Sequence, residues 1–188
     1  MLPTIISLIV WLTEWVCCVA SCVPVLIQQN VDGSESDFFN RSWAEYKVGF
    51  NDTRGNYWLG NDLLHQLTVN DRYKLRFDLQ LSNLSRYWAE YSSFVVLSEA
   101  SNYRLLVSGY SGNLDDALGY HNNMMFTTYD RDNDPWTHSN PAYKNNCAVC
   151  FGNGFWHKTC VLCHINGARE HFHWYYNRLQ TSRMWLTC

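Results

Sequence analysis

Between Tyr73 and Leu81 apolar and polar residues alternate without a break. Tyr73, Leu75, Phe77, Leu79 and Leu81 fall on one side of an extended chain, and Lys74, Arg76, Asp78 and Gln80 on the other. A β-strand sends successive side chains to opposite faces, so this pattern buries its apolar row only within a sheet that has one packed face. A helix would scatter the same residues around its circumference. Two further strand-like runs, Tyr91 to Leu97 and Tyr103 to Tyr110, are expected as antiparallel neighbours. Upstream, Ser42-Trp43-Ala44-Glu45 fits a capping box, predicting a short helix through Val48 that stops at Gly49. Asn61 is placed to cap a second short helix over Asp62 to Leu67. Beyond Gly109 the chain turns to Gly, Asn, Asp and Cys with isolated aromatics, a composition for loops held by cross-links. The fold class is α+β: a central antiparallel sheet with short helices, followed by an irregular, cysteine-bearing part.

A chain of 188 residues, 47% hydrophobic and 16% aromatic, has room for one domain with a real core. Its net charge of −3 and the lack of any Lys/Arg run argue against a nucleic-acid partner. The first 22 residues, "MLPTIISLIVWLTEWVCCVASC", carry an apolar run from Ile5 to Leu12 and small residues at Ala20 and Ser21. This reads as a signal peptide over residues 1–21, with the domain over 22–188. Glu14 and the absence of an early Lys or Arg leave a signal anchor, or a buried terminal segment, as alternatives. Eight cysteines and three sequons, at Asn40, Asn51 and Asn83, fit an oxidising, secretory route to the extracellular space.

Two local patterns carry candidate chemistry. In "FTTYDRDNDPW", Asp130, Asp132 and Asp134 alternate along an extended loop, and alternating carboxylates can converge on a hard cation such as Ca²⁺. An EF-hand is excluded, because Pro135 and Pro141 stand where its loop needs Gly and Glu. On spacing alone a solvated acidic loop is slightly the better reading. The second pattern, Cys147-x2-Cys150 followed by Cys160-x2-Cys163, fits either a zinc ribbon or a disulfide staple. Seven histidines include His171 and His173 near His164, but no nucleophile elbow, H-E-x-x-H motif or phosphate loop accompanies them. No enzyme is expected.

Longer composite motifs settle the wider context. In order they are "VDGS" (31–34), "WAEYKVGF" (43–50), "GNYWLGNDLLHQLT" (55–68), "YKLRFDL" (73–79), "YSSF" (91–94) and "GYSGN" (109–113). "YHNNMMFTTYDRDND" (120–134), "NCAV" (146–149), "FWHKTC" (155–160) and "NG" (166–167) complete the series. Together they resemble the fibrinogen C-terminal domain family, which includes ficolins, tachylectins, angiopoietins and tenascins. The usual small N-terminal subdomain of that family has no counterpart here.

The resemblance implies a calcium site, with side-chain oxygens from Asp132 and Asp134 and backbone carbonyls from Trp136 and His138. Asp130 would lend field rather than a bond, and the following link, "THSNPAYKNN", is longer than usual. It implies a Cys147–Cys160 disulfide and a cis peptide at Thr159-Cys160 that presents an amide to ligand. Because Cys150 and Cys163 each lie three residues after a member of that pair, a second bridge between them is inferred. The expected ligand pocket comprises Phe151, Phe155, Trp156, the Thr159-Cys160 amide and Val161. Val161 replaces a histidine found in lectin-like relatives, and the loop after "NG" is short, leaving Tyr175 or His173 as substitutes for a missing tyrosine. Weak binding to N-acetylglucosamine is therefore expected. Two functions follow: a lectin-like module for glycan or acetylated ligands in innate recognition, or a matrix or signalling ligand for a protein receptor. The last run, "SRMWLTC", is expected to insert near the first strand, with Cys188 reaching Cys22.

Overall fold

The computed structural model describes residues 23–31, 33, 37–70, 72–168 and 171–188. The leader read at 1–21 and the cysteine at position 22 lie outside them. Cys188 is disulfide-bonded.

The centre is an antiparallel sheet in the order β2-β3-β1-β9-β4-β5-β6. In chain order these are β1 (Val25–Asn30), β2 (Phe50–Asn51), β3 (Tyr57–Trp58), β4 (Lys74–Leu81), β5 (Arg86–Val96) and β6 (Leu105–Gly112). Two short strands, β7 (Cys163–His164) and β8 (His173–Trp174), pair with each other, and β8 leads into the last strand, β9 (Asn177–Thr187). In β4 the buried row is Leu75, Phe77, Leu79 and Leu81, as the alternation requires. β5 begins five residues before the expected Tyr91, because a tight turn closed by Leu81 N–H to Ser85 C=O sets Gln80 opposite Arg86. β9 inserts between β1 and β4, pairing Val25 with Leu186 on one side and Phe77 with Met184 on the other.

Helix α1 (Trp43–Val48) carries the expected capping box: Ser42 accepts from Glu45 N–H, and the Glu45 carboxylate accepts from Ser42 N–H at 2.9 Å. Helix α2 (Asn61–Thr68) departs from expectation. Gly60, not Asn61, occupies the cap, without a side-chain bond. Asn61 instead accepts the buried Trp58 indole N–H at 3.1 Å, a donor that would otherwise go unpaired. Gly49 and Gly60 let the two helices meet. Both have positive φ, and a Cβ would fall 2.4 Å from Leu59 O at Gly49 and 2.7 Å from Val48 C at Gly60.

The core is built largely of aromatic rings. Trp156 is fully buried and packs against Phe126 at 5.3 Å, Trp58 at 6.0 Å and Phe94 at 6.4 Å, while its indole N–H donates to Tyr103 C=O at 2.7 Å. One side chain thus joins β3, β5 and the loop-built part. A buried polar cluster makes a second junction. Gln28 of β1 donates to Ile165 C=O and Asn166 Oδ1, Asn30 donates to Gly167 C=O, and Asn166 donates to Gly154 C=O. The "NG" motif is therefore the point where the loops are pinned to the first strand. His121 is a third. Its Nδ1 pairs with Trp156 C=O at 2.8 Å, and its Nε2 accepts from both Leu162 N–H and Cys163 N–H at 3.1 Å. Nε2 must be unprotonated to accept, so the ring is the neutral Nδ1–H tautomer.

Replacing Trp156 with Ala should cost about 3–5 kcal/mol of stability, the range for emptying a large aromatic site; Phe151→Ala, at the half-buried rim, should cost less. Urea unfolding of both variants checks the order. Burial holds His121 down to about 3 and His157 down to about 4, from an ordinary 6.5. The unfolded chain therefore binds protons that the folded chain refuses. Stability should be full above about pH 6.5 and fall steadily as pH drops toward 4 and then 3. A midpoint unchanged between about pH 7.5 and 4.5 would contradict this assignment.

Candidate functional site

The aspartate loop grows from a short antiparallel contact in which Thr127 and Phe155 exchange backbone hydrogen bonds at 2.9 and 3.1 Å. Thr128 and Arg131 close the turn beyond it. Asn133 points inward, donating to Phe126 C=O at 2.8 Å. The aspartates then separate by role. Asp130 turns to helix α1 and accepts from Trp43 N–H at 2.9 Å and from the Thr128 hydroxyl at 2.7 Å. Arg131 lies 3.9 Å from the Trp43 ring centre and donates to Asn102 Oδ1 at 2.6 Å. The contacts of Asp130 and Arg131 with Trp43 lock the loop onto α1, and neither is legible from spacing.

Asp132 and Asp134 stay together. Asp134 N–H donates to Asp132 Oδ1 at 3.2 Å, and Asp134 in turn accepts from Trp136 N–H at 3.0 Å and Cys147 N–H at 3.0 Å. Burial raises the Asp134 carboxyl to about 6, opposed by its backbone hydrogen bonds and reinforced by Asp132. Burial also raises Asp132. Among the described residues no basic side chain bonds to either carboxylate. Asp132 is exposed and Asp134 half-buried, and two adjacent carboxylates offer oxygens of the kind a hard divalent ion takes. No cluster of three or more His, Cys, Asp or Glu side chains suited to a metal is present among the described residues. An ion at the pair would therefore have to draw on ligands beyond these side chains; the resemblance assigns that part to the backbone carbonyls of Trp136 and His138. His138 lies in the long link and Trp136 just before it, and with Tyr143 they pack as a small aromatic group with centres 5.1–6.2 Å apart. His138 itself is exposed, and its N–H donates to Asn145 Oδ1 at 2.7 Å.

The Cys147 that donates to Asp134 opens helix α3 (Cys147–Phe151) and forms a disulfide with Cys160, Cα–Cα 5.5 Å. That bond excludes the four-thiolate zinc reading. The peptide between Thr159 and Cys160 is cis. The second bridge does not form: Cys150 and Cys163 are both free thiols. Cys150 is half-buried on α3, whereas Cys163 is wholly buried in β7, opposite Trp174 and within the field of Asp116. Equal spacing along the chain did not become proximity, since one residue follows in a helix and the other after a turn into a strand. Burial pushes both thiols up, which keeps them in the unreactive protonated form.

The expected pocket is also redistributed. Phe155 and Trp156 are 1% and 0% exposed, so they support the site from below and offer no surface to a ligand. Phe151 and Val161 are half-buried and Thr159 is exposed. Phe151 packs edge-on to His164 at 5.3 Å and to His171 at 5.5 Å. Tyr120, absent from the sequence reading, joins them: its hydroxyl bonds to the Thr159 hydroxyl, and Lys158 Nζ lies 4.7 Å from its ring centre. Tyr175 reaches the same loop through a 2.7 Å bond from its N–H to Leu162 C=O. His173 is partly buried, with its ring 5.4 Å from that of His164. The sequon asparagines Asn40, Asn51 and Asn83 are all exposed.

Residues 21–187 match the family model described as the C-terminal globular domain of fibrinogen β and γ chains. Fibrinogen-like protein A of Apostichopus parvimensis is 39% identical over 145 residues, 76% of this chain and 48% of that protein. Human ficolin-3 is 38% identical over 144 residues, 76% of this chain and 45% of its own length. This chain thus spans about half the length of either relative. The fibrinogen-like globe domain of human ANGPTL2 superposes with a TM-score of 0.74 at 31% identity, covering 87% of this chain and 79% of that one. With its sheet, its Cys147–Cys160 staple and its motifs matched over nearly the whole length, the chain belongs to the fibrinogen C-terminal globular domain family.

Proposed function

We propose that this chain is a secreted, calcium-binding recognition module of lectin-like type, acting in innate pattern recognition. The observation that carries this reading is the bond from Cys147 N–H to Asp134 Oδ2. It joins the carboxylate pair to the disulfide, and through Cys160 to the cis peptide and the surface formed by Tyr120, Phe151, Thr159 and Val161. An ion held by Asp132 and Asp134, with the carbonyls of Trp136 and His138, would relieve the repulsion within the pair. It would also fix the start of α3, and so the geometry of the surface beyond. Membership of the family supports a ligand-binding rather than a catalytic role, and the secretory features of the sequence support an extracellular one.

What lines this surface supports one ligand class. Val161 offers no hydrogen-bond donor, and Phe151 offers an apolar wall without a hydroxyl. The polar groups at hand are the Thr159 and Tyr120 hydroxyls and the Lys158 ammonium. These suit a glycan or acetylated ligand bound through ring stacking and a few hydroxyl contacts. They fit N-acetylglucosamine poorly, because each hydrogen bond lost from such a site costs about 0.5–1.5 kcal/mol.

Added Ca²⁺ should raise the melting temperature of the secreted protein and chelation should lower it. The size follows mass action: about 2.7 kcal/mol at a hundredfold excess over Kd. Asp132→Ala with Asp134→Ala should abolish the response, and equal calcium shifts in the two proteins would falsify the site. On a glycan array read with and without Ca²⁺, binding should be calcium-dependent, with N-acetylglucosamine among the weak ligands. An array blank under both conditions, with calcium-dependent capture of an extracellular protein receptor instead, would favour the matrix or signalling role.

A further inference from the structure

The sheet has a second face. Leu75, Phe77 and Leu79 point into the core, so their neighbours Arg76, Asp78 and Gln80 point away from it. On that outer face β9, β4 and β5 form the floor of a groove of about 490 Å³. Arg183, Arg76 and Arg86 line it, one from each strand, with Asp78, Trp88 and Thr181 between them. Three arginines against one aspartate concentrate positive charge in a chain whose net charge is −3. The aspartate is already engaged, since Arg76 Nε donates to Asp78 Oδ1 at 3.0 Å. Arg183 is held likewise through Nε, by Gln29 Oε1 at 2.5 Å. Both arginines are thus oriented by their inner nitrogen, and their terminal nitrogens bond to no other described residue. Arg76 also lies 5.3 Å from the ring centre of Trp88, and Arg86 is exposed at the rim.

We infer that this groove binds a sulfated oligosaccharide. The backbone of β4 is paired on both sides, with β5 and with β9, so the floor has no main-chain groups to extend a peptide strand. Recognition falls to side chains: guanidinium forks, a hydroxyl and an indole. Neighbouring strands lie about 4.7–4.9 Å apart. Arginines on adjacent strands can therefore share one tetrahedral sulfate, whose oxygens diverge toward more than one donor. A planar carboxylate faces a single fork. Trp88 supplies the apolar plane against which the CH face of a sugar ring packs, a contact an acidic peptide does not need. The groove volume falls within the range of small-ligand sites. The site is separate from the aspartate loop and does not use calcium.

The test titrates the intact secreted protein with a heparin-derived tetrasaccharide at physiological salt, with and without chelator. Binding is expected in both conditions. Arg86→Gln and Arg183→Gln should each weaken it about tenfold, as loss of a charge-assisted contact does. Trp88→Leu should weaken it without changing its salt dependence. Thermal melts establish that each variant is folded; Arg86, exposed at the rim, carries the test should Arg183→Gln fail to fold. Any of four results overturns the assignment: unchanged affinity in folded Arg86→Gln, equal binding of the desulfated tetrasaccharide, equal displacement by hexaglutamate, or loss of binding on chelation. The last would move the ligand to the calcium-dependent surface and leave the proposed function standing.

Discussion

Insertion of β9 between β1 and β4 is the constraint on which the rest of the molecule depends. The backbone of a central strand is buried on both edges, and each N–H and C=O there needs a partner. β9 gives its partners to strands from the beginning and the middle of the chain, which in the described sheet meet only through it. Its inward residues, Met184 and Leu186, complete the core, and inward Ser182 joins the polar cluster around Gln28. Its outward residues, Thr181 and Arg183, complete the groove on the far face. Local elements such as the capped helix α1 can form early, but neither surface of the sheet exists until the most distant segments of sequence have paired. Contacts of this range make folding slow relative to helical proteins.

The loop-built half has little regular structure and is ordered by specific tethers instead. Asp130 holds the aspartate loop to α1, Cys147 links that loop to the disulfide, and His121 holds the segment after the cis peptide. Each tether satisfies backbone N–H groups that no sheet or helix reaches. These tethers act together with the burial of Phe126, Phe155, Trp156 and Phe172, and they set Asp132 beside Asp134. Burial of Asp134 next to a second carboxylate is the feature on which the proposed calcium site rests.

The two faces of the molecule differ in chemistry. On the loop face negative charge is gathered and partly desolvated, and the adjoining surface is aromatic and hydroxylic. On the sheet face positive charge is gathered in a groove floored by fully paired strands. On the readings proposed above, the two faces would take chemically different ligands at separate places.

The sequence by itself determined those features whose physics is local. The period-two pattern specified β4 and its buried row, and Ser42 with Glu45 specified the start of α1. The long motifs specified the family, and with it the Cys147–Cys160 staple. Features that depend on side-chain direction were decided only by tertiary structure. Phe155 and Trp156 stand among loop residues in sequence, yet the indole of Trp156 finds its acceptor at Tyr103 C=O and both rings go inside. Cys150 and Cys163 occupy equivalent places in their motifs, but a helix and a strand aim them apart. His121, an ordinary residue in the sequence, becomes a tether because two backbone N–H groups from forty residues away need an acceptor. The groove arginines are scattered singly over more than a hundred positions and form no basic run. Only the antiparallel register of β9, β4 and β5 brings them onto one face, because strand pairing, unlike sequence spacing, sets which charges are neighbours.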